Sequence, residues 1–98
     1  MLFSDDDLKT TFEIPDEPTY LQSLRYESEV SMHPKSETFE RLWLGACILI
    51  QNWKSEIIPQ ASPEILNQKS TPDGIMVLKW AGLSVWSVMW DQKQIEKK

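Results

Sequence analysis

Three features of this sequence have side chains capable of chemistry: the run Asp5-Asp6-Asp7, the single histidine His33 and the single cysteine Cys47. Adjacent carboxylates can hold a divalent cation or share general acid–base work, but only where a rigid scaffold fixes their geometry. Asp5, Asp6 and Asp7 stand ahead of Phe12-Glu13-Ile14-Pro15-Asp16-Glu17-Pro18, where two prolines forbid a continuous helix and few apolar groups anchor the chain. His33 stands beside Pro34 with no cysteine or second histidine at ligand spacing, so it reads as a loop residue rather than a metal ligand. It also has no orienting carboxylate or nucleophile to serve as a general base. Cys47 lies within an apolar run, which favours a small core residue over a reactive thiol, and a lone cysteine forms no internal disulfide. No catalytic residue, cofactor site, metal site or small-molecule substrate is therefore expected.

The element that must position everything else is Leu42–Ile50, LWLGACILI, which contains no charge. Phe39, Leu42, Trp43, Ala46, Ile50, Trp53 and Ile57 follow one another at three- and four-residue steps, which predicts one helix face extending to about Ile57 or Ile58. Ser36 suits the N-cap, with Glu37 and Glu40 in the first turn, and Pro59 suits the stop. Gly45 in mid-helix, followed by Ala46 and Cys47, implies that another helix crosses closely there.

Around this central helix the chain offers further starts and stops. Ser4 ahead of the three aspartates suits a single capped turn within an otherwise solvated acidic tail. Asp16-Glu17-Pro18 predicts a helix to about Glu29, with Tyr20, Leu21, Leu24 and Ser28 as its apolar stripe and Arg25 placed to pair with Glu29. Ser62-Pro63-Glu64 and Thr71-Pro72-Asp73 repeat one start signal, a hydroxyl cap followed by proline and an acid. The first opens a short helix to about Lys69. The second opens a long final segment, for which residues 75–90 admit either a helix or a hairpin turning at Ala81-Gly82. Helix is favoured because Ser84, Ser87, Asp91 and Gln94 recur at helical spacing. On that basis Ile75, Leu78, Gly82, Val85, Trp86 and Met89 face the central helix, and Trp80, Leu83 and Trp90 point elsewhere.

The expected fold class is all-α: a small bundle of three to four helices around a central helix, with residues 1–17 a flexible acidic segment and 18–98 a single helical domain. A chain of 98 residues makes one domain with a modest core. Its net charge of −5 is unevenly spread. Residues 1–30 hold eight acids against Lys9 and Arg25, whereas the remainder holds seven acids against eight bases. Neither half has the clustered cations that nucleic acid requires. A mimic of nucleic acid is a weaker alternative, because the acids sit in one segment rather than across a surface. The start of the chain lacks the pattern of a secretory signal, so a cytoplasmic, reducing location is the default expectation. Membrane insertion is not expected, since Leu42–Ile50 falls far short of the ~20 apolar residues of a span, and Lys79, Ser84 and Ser87 interrupt the later run.

Five tryptophans exceed what so small an interior needs, and tryptophan is enriched at protein contacts. The expected function is thus a non-enzymatic interaction module, an adaptor, assembly factor or regulator that binds another protein or itself. Trp80, Leu83 and Trp90 are the candidate contact residues, with Phe12 and Ile14 as a docking segment. The alternative is a small subunit or peripheral component of a larger or membrane-associated complex. A metal-dependent enzyme has less support.

Overall fold

Alternation of apolar and polar side chains overrides the acidity of the leading segment. In a computed structural model that describes residues 1–31 and 39–96, and side chains at 1–30 and 39–89, the chain begins with a hairpin. Strand β1 (Leu2–Asp5) pairs antiparallel with β2 (Thr10–Glu13), Phe3 opposite Phe12. The aspartates make its turn. The Asp5 carboxylate accepts the Leu8 N–H at 3.0 Å, Lys9 donates to the Asp6 carbonyl, and Lys9 takes a left-handed φ of 51° that closes the loop. Leu8 at the turn is buried, and Phe12 and Ile14 lie in the core.

Helix α1 (Tyr20–Ser31) follows, then α2 (Phe39–Leu49) and a third strand, β3 (Gln51–Ser55). The α1 start is a capping box: the Thr19 hydroxyl accepts the Gln22 N–H at 3.1 Å, and the Gln22 amide oxygen accepts the Thr19 N–H at 2.9 Å. β3 joins the far side of β2, giving a three-stranded sheet of order β1-β2-β3. After a single-turn 3-10 segment (Pro63–Asn67), α3 (Pro72–Glu96) completes the chain. Helices α1 and α3 both pack on α2.

This is an α+β fold, three helices and a three-stranded antiparallel sheet among the described residues, and the all-α expectation is overturned. Two misassignments account for it. Residues 1–17 are not an appended tail, since two strands and three core side chains, Leu8, Phe12 and Ile14, lie within them. The central helix also ends eight residues early. Ile50 makes its last bond back to Ala46, Asn52 turns left-handed (φ 52°), and the chain pairs with β2 through a register irregularity between Thr11 and Glu13. Tertiary contacts hold that turn. The Asn52 amide donates to Glu13, and the Trp53 ring stacks on Phe12 at 5.7 Å and meets Trp43 edge-on at 5.6 Å. The Trp53 indole N–H is satisfied by the Ile58 carbonyl at 2.8 Å.

The core is built from Phe12 and Ile14 of the hairpin segment, Trp43, Ala46 and Leu49 of α2, and Val77, Ala81 and Val85 of α3. Residues 75–90 are helix throughout, so the hairpin alternative does not apply. The buried line on α3 is nevertheless rotated from the expected one, leaving Ile75 and Trp86 exposed. Gly45 and Gly82 mark the helix crossings. A Cβ on Gly45 would come within 2.8 Å of Val30 and 3.0 Å of Tyr26, and one on Gly82 within 3.0 Å of the Leu42 Cβ. Among the described residues no helix is long and apolar enough to cross a membrane.

Candidate functional site

The residues nominated from sequence scatter. Phe12 is fully buried, with Phe3 at 5.0 Å on one side and the edge of Trp80 at 5.3 Å on another, and Ile14 is buried beside it. Both are turned away from solvent: Phe12 lies on the inward face of β2, and Ile14, just past the end of that strand, is buried as well. Trp80 is half-buried and packs on the core through the same contact. Of the five, Leu83 stands exposed on α3, and the Trp90 side chain falls outside the described residues. His33, Ser36 and Glu37 are also outside them.

The apolar stripe read on α1 faces solvent. Tyr20, Leu21 and Leu24 are 91%, 56% and 64% exposed. The reason lies on the other side of the same helix. Tyr26 and Val30 close against Gly45, and Arg41 of α2 pairs with Glu29 at 2.9 Å, so α1 is held by its second, narrower apolar face. At about 100° per residue the two faces lie on opposite sides of the helix. The signal was present in sequence: a helix with two apolar stripes needs two neighbours, and the core supplies one. On α3, Ile75, Met76, Leu83 and Trp86 are exposed, and Lys79 sits 4.8 Å over the ring of Phe39, itself exposed at the start of α2.

The charge around the α1 stripe is unbalanced. Residues 16–31 contain Asp16, Glu17, Glu27 and Glu29 against one cation, Arg25. Glu29 is engaged by Arg41, so the expected Arg25–Glu29 pair does not form. The Met1 amine pairs with Asp16 at 2.8 Å, which ties the open end of the hairpin to the start of α1. Glu17 and Arg25 are exposed.

Burial pushes the Cys47 thiol up to about 12, with the nearby Glu64 carboxylate adding to the effect, so the thiolate is negligible at neutral pH. Burial also raises the phenol of Tyr26, whose hydroxyl has no hydrogen-bond partner among the described residues. Asp5 serves the hairpin turn, and Asp6 and Asp7 are exposed. Among the described residues no three of His, Cys, Asp and Glu gather where they could hold a metal ion. Comparisons with protein families, with curated proteins and with solved structures found no match to this chain.

Proposed function

We propose that this protein is a non-enzymatic interaction module that works as an adaptor, assembly factor or regulator, binding another protein through the outward face of α1. The observation that supports this most is the exposure of Tyr20, Leu21 and Leu24 on a helix already fastened to the core by its opposite side. Exposed apolar residues are common singly, but an aromatic and two leucines within five residues of one helix form a stripe of the kind that marks contact sites. The stripe lies outside the core, and a capping box closes the first turn of its helix.

The experiment is affinity capture with the intact chain and with a Leu21→Asp/Leu24→Asp variant, with thermal melting measured on both. We expect the variant to melt within a few degrees of the parent and to lose the proteins that the parent retains. Unchanged capture would refute the proposal, and a collapse of the melting transition would show that the stripe belongs to the core.

A second reading draws on α3. Ile75, Met76 and Leu83 add a second exposed apolar face on a different helix, which favours a small component of a larger assembly gripped from two sides. An Ile75→Asp/Leu83→Asp variant that also loses partners, different from those lost by the α1 variant, would support it.

A further inference from the structure

We infer that Asp73-Gly74, in the first turn of α3, is a site of spontaneous backbone modification, aspartate to isoaspartate, which the Thr71 cap keeps closed while that turn is formed. The dipeptide supplies both reacting groups. The Gly74 amide nitrogen attacks Cγ of the protonated Asp73 carboxyl; a C–N bond forms, the carboxyl hydroxyl and the amide proton leave as water, and a succinimide ring results. Water then adds to one of the two ring carbonyls. Breaking the bond from nitrogen to Cγ restores aspartate. Breaking the bond from nitrogen to the main-chain carbonyl carbon leaves the chain running through Cγ, which is isoaspartate, with no change in mass and no redox step. Glycine hinders the attack least because no Cβ shields its nitrogen, and this is the one Asp-Gly pair in a sequence that has no Asn-Gly.

The fold leaves one reactant open and locks the other. Asp73 is exposed, so water reaches its carboxyl. The Gly74 N–H, in contrast, donates to the Thr71 hydroxyl at 3.0 Å, and the Ile75 N–H donates to the Thr71 carbonyl at 3.0 Å, so Thr71 closes the turn twice. Gly74 is also buried: a Cβ there would lie 2.9 Å from Thr71 Oγ1 and 3.4 Å from Ile58 Cδ1, which leaves the residue little room to turn. Ring closure requires Asp73 to leave its helical ψ and the Gly74 nitrogen to leave the Thr71 hydroxyl. The reaction therefore draws on molecules in which the start of α3 has opened locally. Once made, isoaspartate adds one carbon to the main chain a turn ahead of the buried Val77, so the cap and the helix no longer close in register.

The test incubates the full chain at neutral pH and physiological temperature for several weeks, beside a synthetic peptide of residues 68–79. Isoaspartate at position 73 is quantified by peptide mapping, in which chromatography separates the two isomers of equal mass. We expect the peptide to isomerise at least about tenfold faster than the folded chain, and Thr71→Ala to speed the folded chain about fivefold, the change in open population that loss of a cap gives. Thr71→Ser keeps the hydroxyl and should stay at the parental rate. Circular dichroism establishes that each variant is folded. In the parent itself, isomerisation and amide hydrogen exchange at Gly74 should rise together across low concentrations of urea, a readout that needs no variant.

A folded chain that reacts as fast as the peptide would overturn the inference, because the turn would then protect nothing. A folded Thr71→Ala that reacts no faster than the parent would overturn the role of the cap. A peptide that forms no isoaspartate would show that the pair is unreactive and overturn the site itself.

Discussion

Cys47 and Tyr26 each keep a proton in the folded state that the unfolded chain releases more readily. In the unfolded chain they titrate near their ordinary values, about 8.5 for cysteine and about 10 for tyrosine. In the folded protein burial raises both, the thiol to about 12. Stability from these groups is therefore fully present below about pH 8.5 and is lost as pH rises toward 12, because the unfolded state alone sheds the protons. Chemical denaturation at neutral pH and near pH 10 should show this loss. Cys47→Ala and Tyr26→Phe should each flatten the decline, and an alkaline slope unchanged in both variants would contradict the assignment. Removing the Tyr26 hydroxyl also deletes a buried donor that has no partner among the described residues, so Tyr26→Phe should not destabilise the protein at neutral pH.

At the level of elements, the joint with the least room to yield is where α3 crosses α2. A Cβ on Gly82 would meet the Leu42 Cβ at 3.0 Å, the Leu42 carbonyl carbon at 3.2 Å and the Trp43 nitrogen at 3.3 Å. Two of these three atoms are backbone and cannot rotate aside. Gly82→Ala gains about 1 kcal/mol of helix propensity but incurs about 1–3 kcal/mol of overpacking, so we expect a net loss of about 1 kcal/mol in denaturant unfolding. Stabilisation instead would mean that the helices separate without penalty. The crossing at Gly45 was legible in the sequence, because small residues in a row within a helix need a close neighbour. The start at Thr71-Pro72-Asp73 was legible too, and there the Thr71 hydroxyl accepts the Gly74 N–H at 3.0 Å. The same signal at Ser62 opens only a 3-10 turn with no side-chain cap bond; the Ser62 carbonyl accepts the Trp43 indole N–H instead. The strands were missed for two physical reasons. Trp53 and Ile57 happen to continue a helical spacing across a helix that has already ended, and the three aspartates resemble a solvated tail although they sit at a turn that the Asp5 carboxylate caps. The alternation Thr10, Phe12, Ile14 was the available cue. The α1 stripe was half legible: Tyr20, Leu21 and Leu24 read as one apolar face, but its exposure could not be read, since nothing local distinguishes an apolar face that packs from one that faces solvent.

For the whole molecule, the hairpin is structural rather than accessory. Phe12 touches Phe3, Trp53 and Trp80, which belong to three different elements. Truncating one such buried aromatic typically costs about 3–5 kcal/mol, against a total stability of about 5–15 kcal/mol for a domain. A chain lacking residues 1–17 loses Phe3, Phe12 and Ile14 together. It should show no cooperative melt by circular dichroism, whereas a retained sharp transition would mean that the helices fold alone. Thr10 meets Ser55 across 45 positions of sequence, with their hydroxyl oxygens 2.8 Å apart, so the sheet cannot be completed until the chain through both intervening helices has been made. A chain emerging from the ribosome therefore holds its first two strands without their third, and Phe12 without Trp53, until β3 has been synthesised about forty residues later.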